Sequence, residues 1–235
     1  MALRGPQLAV IIPARDEAAA LPLLLADLAQ GQHLIAELLV VDGGSIDGTP
    51  ERARLAGAQV LHCAPGRGGQ LLAGIAATTA PMLWLLHGDV RLPPHWPRRL
   101  EAQLTMPCQA AARPMAWFGE LKVPLAPPQY RLMEALVVLR SRVLQRPYGD
   151  QGLLISREAY RQAGGLRPLA LMEDLDFAER FSRCGRFAPL GLTLLVSPRR
   201  WRRHGLLGTS WRNARLRRAW RQGVCDVALS DRYRS

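Results

Sequence analysis

The chain has 235 residues, 49% of them apolar and 21% charged, with a formal net charge of +12. That length and apolar share suit a single domain with a sizeable core and exclude a disordered chain. No apolar run reaches the ~18 residues of a spanning helix. The stretch Met1–Pro6 lacks the apolar core of a signal peptide, so a cytoplasmic location is expected.

The first half alternates short apolar runs with helical patterns, as βαβ units do. Leu8 to Ile12 reads as a buried strand stopped by Pro13, and Ala18 to Ala29 as a helix. Leu38 to Val41 is a second strand ending at Asp42. Thr49-Pro50-Glu51 supplies an N-cap and a proline at the first position of a helix running to Ala56. Strands are expected over Ala58 to His62 and Met82 to Leu86, with a helix over Gly69 to Thr78 between them. Further on, the pattern predicts strands over Met115 to Val123, Gly152 to Ile155 and Phe187 to Val196. Helices are expected over Gln129 to Gln145, Glu173 to Cys184 and Leu206 to Gln222. The first of these places Leu132, Met133, Leu136, Val137, Val143 and Leu144 on one broad apolar face. No repeat or low-complexity linker divides the chain.

The polar motifs follow the strands, and in an open parallel sheet that edge is where ligands sit. Four strands thereby aim Arg15, Asp16, Glu17, Asp42, Asp47, Arg67 and Asp89 at one crevice. Asp42 at a strand end suits hydrogen bonds from a base or ribose, and Gly43 and Gly44 let backbone approach a ligand closely. The same residues also serve a plain strand–turn–helix connection. Ile12-Pro13-Ala14-Arg15-Asp16-Glu17 suits either a ligand loop or a helix start with acids in its first turn. Gly66-Arg67-Gly68-Gly69-Gln70 offers glycine-rich backbone and one arginine before a helix, an arrangement that suits a diphosphate.

With I-P-A-R-D-E over Ile12–Glu17 and V-D-G-G-S-I-D-G-T over Val41–Thr49, the chain resembles the family-2 glycosyltransferases. The similarity runs from about Leu8 to Trp220 and is strongest to a bacterial subgroup associated with radical-SAM and selenium-domain proteins. It implies a GT-A (Rossmann-like) α/β fold: a mixed, mostly parallel sheet flanked by helices, with a C-terminal helical extension. It also implies one domain over 1–235, with a nucleotide-sugar half (1–92), an acceptor and catalytic half (93–200) and a basic helical tail (201–235).

The resemblance carries roles to particular residues. Pro13, Arg15, Glu17, Asp42, Gly44, Asp47, Arg67, His87 and Gly88 would hold a nucleotide sugar, with UDP favoured by Asp42 and Asp47. Family members carry D-x-D where this chain has His87-Gly88-Asp89. Asp89 remains for a divalent metal, Mn²⁺ or Mg²⁺, while His87 reads as a hydrogen-bonding residue ahead of a ligand. Glu173 and Asp174, after a Gly164-Gly165-Leu166 turn, match the pair that supplies the catalytic base, and the match puts that role on Asp174. Asp150 and Gln151 fall on the acceptor side, where Asp150 suits either orienting a hydroxyl or capping a turn. Arg200 and Trp201 match loosely a motif that holds phosphate or sugar, with His204 nearby. The implied reaction inverts the anomeric centre.

Between Arg199 and Arg234 there are eleven arginines against Asp226 and Asp231. A solvated surface helix accounts for most of them. The alternatives are a peripheral contact with an anionic membrane or a lipid-linked or phosphorylated acceptor. Specific nucleic-acid binding is not expected, because no recognised binding motif accompanies the charge. The rival enzyme class, a sugar nucleotidyltransferase, would need a different first loop. Cys63, Cys108, Cys184 and Cys225 form no C-x-x-C pair and read as free thiols. No motif names the acceptor or sets the oligomeric state.

Overall fold

The computed structural model describes residues 7–104, 113–124, 127–199 and 205–229. In chain order the first half comprises β1 (Leu8–Ala14), α1 (Leu21–Ala29), β2 (Ile35–Asp42), α2 (Thr49–Leu55), β3 (Gln59–His62), α3 (Arg67–Ala76), β4 (Met82–Leu85), β5 (Val90–Arg91) and α4 (Trp96–Leu104). The second half comprises β6 (Met115–Lys122), α5 (Gln129–Val143), β7 (Leu153–Ser156), α6 (Arg157–Gln162), α7 (Glu173–Cys184), β8 (Arg186–Val196) and α8 (Gly205–Arg221). Among the described residues the strands form one sheet in the order β3-β2-β1-β4-β7-β6-β8-β5. The pairings β1·β2, β1·β4, β2·β3 and β6·β8 are parallel, whereas β7 runs against both β4 and β6, and β5 against β8.

Every residue of β1 is buried, which explains its unbroken apolar run: a strand covered on both faces has no solvent side to alternate with. Leu8, Val10 and Ile12 join one core layer with Leu21, Leu24 and Leu28 of α1. Ala9 and Ile11 face the other layer, with Leu71 and Ile75 of α3 and Phe177 and Phe181 of α7. The period of two thus puts helices on both faces. Gly74 lets α3 lie close to the sheet: a Cβ there would stand 2.5 Å from Ile11 Cγ2 and 2.9 Å from Val41 Cγ2.

The expected strands and helices are present, with three local differences. The cap of α2 is Gly48, at φ +80°, and not Thr49, which lies inside the first turn. The face expected on α5 divides: Met133 and Val137 pack against the core, but Leu132, Leu136, Val143 and Leu144 are more than half exposed. The short β5, α4 and α6 were not legible, being brief or, in α4, strongly polar on one side. Cys63, Cys184 and Cys225 are free thiols, while Cys108 lies outside the described residues. Among the described residues no helix is long and apolar enough to cross a membrane.

Candidate active site

Strand direction decides what meets at the rim of the sheet. The ends of β1, β2 and β4 release Arg15–Glu17, Gly43–Asp47 and His87–Asp89 on the same side. Because β7 is antiparallel to β4, with Leu153 opposite Leu85, it is the start of β7 that lies there. Tyr148, Gly149 and Asp150 arrive by that route. The N-termini of α3 and α7 close the arrangement with Arg67 and with Glu173 and Asp174. A cleft of about 720 Å³ joins Pro13, Arg15, Glu17, Arg67, His87, Gly88, Asp89, Asp150, Glu173 and Asp174.

Asp42, Gly44 and Asp47 lie at the same sheet edge but do not line that cleft. Asp42 is buried and accepts hydrogen bonds from the Gly44 and Ser45 amides at 3.0 and 3.2 Å, with His62 Nδ1 at 3.3 Å. Burial alone would raise its carboxyl; the hydrogen bonds from Ser45, Gly44 and His62 outweigh that and hold it below the ordinary range. Asp47 accepts from the Ala18 amide at 2.9 Å and the Thr49 amide at 3.1 Å. The Glu17 amide donates to Thr49 Oγ1 at 2.8 Å, the Asp16 amide to Ser45 Oγ at 2.9 Å, and the Ile46 amide to Asp16 Oδ1 at 2.9 Å. The loops after β1 and β2 are therefore laced together. In this structure Asp47 holds the loop that presents Arg15 and Glu17.

At the centre of the cleft stands Arg67. Its Nε donates to Glu173 Oε1, one terminal nitrogen lies 3.1 Å from Asp174 Oδ2, and the other 3.2 Å from His87 Nε2. Arginine can only donate, so His87 Nε2 accepts. Burial would lower the Arg67 pKa, but Glu173 and Asp174 outweigh it and raise it above the usual range. Glu173 is 1% exposed and its Oε2 has no hydrogen-bond partner; burial pushes its carboxyl upward, against Arg67. Asp174 differs. Burial raises it, but Arg67 and the amides of Gly149 and Leu175 hold it below the carboxylate range. The residue before the pair, Met172, sits at φ +69°. Such a backbone costs on the order of 1–3 kcal/mol and clusters at sites where geometry matters.

Gly149 leaves no room in this cluster: a Cβ would lie 2.9 Å from His87 Nε2 and 3.2 Å from Asp174 Oδ2. Gly149→Ala is expected to destabilise by about 1–3 kcal/mol, a fall of roughly 2–10 °C in Tm. The same substitution at Gly69, where an added Cβ meets nothing within 4 Å, should leave the melt unchanged or raise it. Equal melts for the two variants would remove the steric argument.

Asp89 and Glu17 form a second, separate group. Arg199 donates to Glu17 Oε2 at 2.6 Å and lies 3.4 Å from Asp89 Oδ2, so a guanidinium bridges the two carboxylates. Burial raises the Glu17 carboxyl and the charges of Asp89 and Asp47 add to it, against Arg199. Among the described residues no three His, Cys, Asp or Glu side chains gather as a metal site. Two hard carboxylate oxygens around a cation nonetheless suit Mg²⁺ or Mn²⁺ that takes its remaining ligands from phosphate and water.

The acceptor-side expectations divide. Asp150 lines the cleft, but Gln151 is fully buried and serves as a pin: its Oε1 accepts from Ser141 Oγ at 2.8 Å and Arg140 at 3.0 Å. Arg200, Trp201 and His204 lie outside the described residues. Sequence reasoning missed Arg140, Tyr148, Arg199 and Arg217. Ser210, Asn213 and Arg217 line the cleft at i, i+3 and i+7 on α8, a helical face that sorting the tail by period would have exposed.

Residues 9–121 match the family model described as Glycosyl transferase family 2. Just under half of the chain is thus similar to the family-2 glycosyltransferases. An 88-residue stretch is also 34% identical to uncharacterized glycosyltransferases of Mycobacterium bovis and Mycobacterium tuberculosis, covering 37% of this chain and 38% of those relatives. The match thus spans well under half of the relatives' length. Among solved structures, glucosyl-3-phosphoglycerate synthase from M. tuberculosis with Mn²⁺, UDP and glucosyl-3-phosphoglycerate is similar at TM-score 0.59 and 21% identity, over 82% of this chain and 70% of that one. The same protein with Mn²⁺, UDP-glucose and phosphoglyceric acid gives 0.60 and 22%, over 81% and 71%. This likeness establishes the GT-A fold. The family-2 match covers β1 to β6 and ends before Glu173 and Asp174.

Proposed function

We propose that the protein transfers a sugar from a nucleotide diphosphate sugar, a UDP-sugar first, to an acceptor hydroxyl with inversion at the anomeric carbon. One observation carries this reading: a single cleft unites the β1 loop, the His87–Asp89 turn, Arg67 and the Glu173–Asp174 pair. The structural neighbours crystallised with UDP and Mn²⁺ support the donor and the metal. The half to residue 92 would hold the donor and the half beyond it the acceptor and base. Residues of α8 join the acceptor wall. The comparisons do not support the finer placement in the radical-SAM/selenium-associated subgroup.

Asp89 and Glu17 would hold a divalent cation, which supplies positive charge for the leaving diphosphate when bound. Asp42, buried at the end of β2, would act through the loop it holds by the Gly44 and Ser45 amides, against which base and ribose would lie. Arg67 is fixed from both sides by Glu173 and Asp174, so it is pre-oriented to meet charge on the diphosphate. Asp174 takes the acceptor proton; its oxygen partner then attacks the anomeric carbon from the face opposite the leaving group. A carboxylate has about four acceptor sites. Gly149, Leu175 and Arg67 use three of those on Asp174 and leave one, on Oδ1. Glu173 also has unused acceptor sites, on Oε2, but that oxygen is buried and out of reach of a hydroxyl in the cleft.

A thermal-shift panel of UDP-, GDP- and dTDP-sugars with and without Mn²⁺ tests the reading. The donor at about 100 times its Kd should stabilise by about 2.7 kcal/mol, and only when metal is present. Asp89→Asn should abolish the metal dependence with the unliganded melt retained. Absence of a shift with every nucleotide sugar in the presence of metal would end the proposal.

A further inference from the structure

Two cationic side chains in the cleft are not used by this mechanism. Arg140 of α5 stands with Cζ 3.5 Å from the centroid of the Tyr148 ring, and Arg217 of α8 stands 5.6 Å from the same centroid. Both line the cleft that holds Asp174. Arg140 donates to the Arg146 carbonyl and to Gln151 Oε1, each at 3.0 Å, and both acceptors are neutral. Among the described residues neither arginine forms an ion pair with a carboxylate, whereas Arg67, Arg91, Arg180 and Arg199 all do.

Gathering two guanidinium groups around one ring, partly out of water, is unfavourable without an anion. Burial lowers the Arg140 pKa, and the Arg217 charge pulls it down further while Tyr148, Asp150 and Asp174 oppose it. Asp150 and Asp174 act on Arg140 only from a distance, and among the described residues neither forms an ion pair with Arg140 or Arg217. Arg140 is set in place by Gln151, itself buried and bonded to Ser141 and the Gly119 carbonyl, so the cation is fixed before any ligand arrives. Asn213 and Ser210 add neutral polar groups on the same face of α8.

We propose that Arg140 and Arg217 form an anion site for a phosphate group carried by the acceptor, with Tyr148 between them and Asp174 within reach of the acceptor hydroxyl. A planar guanidinium pair matches phosphate oxygens in fixed geometry. The inference rests on the glycosyltransferase reading above and names the substrate class of its acceptor side. Phosphate esters come from two sources. A soluble sugar or glycerol phosphate needs only the polar site. A lipid phosphate that keeps a free hydroxyl, such as a lysophosphatidic acid, would also meet Met133, Leu136 and Val137, which line the cleft and continue into the exposed apolar strip of α5.

The test is a titration of inorganic phosphate into protein saturated with UDP and Mn²⁺, so that the donor side is filled. Wild type should bind saturably. Arg217→Gln should weaken phosphate tenfold or more, with UDP affinity unchanged. Arg140→Gln should do the same; because it also releases Gln151, its melt is recorded, and Arg217→Gln carries the test if it fails to fold. Glycerol 3-phosphate and a lysophosphatidic acid are then compared. Tighter binding of one assigns the soluble or the lipid source, and equal binding assigns recognition to the phosphate alone. Phosphate affinity unchanged in Arg217→Gln, or equal loss of phosphate and UDP, overturns the proposal. If UDP fails to bind at all, the donor reading falls, while the same titration without UDP still reports on Arg217.

Discussion

Asp174→Asn is expected to retain nucleotide binding and to lose transfer by about 10²–10⁴-fold. The amide keeps the size of the carboxylate and can still accept from the Gly149 amide, so the α7 N-terminus should hold its place. It cannot take a proton from an attacking hydroxyl. The change also removes the negative charge beside Glu173, which relieves a repulsion that raises the Glu173 carboxyl. The melt should consequently shift little while kcat collapses. Single-turnover transfer with the donor found in the thermal-shift panel measures this. Undiminished turnover would take Asp174 out of the role and leave no exposed carboxylate of the pair to fill it.

Arg67→Met should be the most destabilising single change in the cleft. Arg67 is the ion-pair partner of the buried Glu173, and it also meets Asp174 and His87. Its loss leaves a buried carboxylate uncompensated beside a second one, a situation that costs about 3–5 kcal/mol. The deficit has a pH signature. Without Arg67 the folded-state pKa of Glu173, already raised by burial, moves further above its unfolded value. A folded carboxyl with a raised pKa binds more protons than the unfolded chain, so stability falls as pH rises through that pKa. The penalty is therefore largest at neutral and alkaline pH and shrinks on acidification towards the ordinary carboxylate range. Denaturation curves between pH 5 and 8 would show wild type and variant converging at the acid end. A pH-independent gap would mean that packing, and not charge, is what Arg67 contributes. Arg67→Lys should fall between the two, since one ammonium cannot reach three partners.

The first half of the chain was legible because its signals are local. Apolar runs of strand length end in Asp42 or Asp89, turn residues follow, and the parallel βαβ rule then places every such ending on one rim. The Glu173–Asp174 pair was found through the family pattern, although its partner Arg67 lies 106 residues away. The Arg67–Glu173 bond itself had no sequence signal: Arg67 was read as a phosphate contact, and its fixation by α7 depends on how α3 and α7 pack on one face of the sheet. Arg140 and Arg217 were hidden for another reason. In a chain with 31 basic residues an individual arginine carries little information, and only the fold shows which of them turn inward. Gln151 was legible as a polar residue near the rim but not as a pin, because its partners Gly119, Arg140 and Ser141 come from β6 and α5.

The cross-links between Asp16, Ser45 and Ile46, between Glu17 and Thr49, and between Ala18 and Asp47 make the β1 and β2 loops a single rigid piece. An added or deleted residue in either loop would put both out of step. On the reading proposed above, a change of donor would therefore have to come from side chains exchanged at constant loop length.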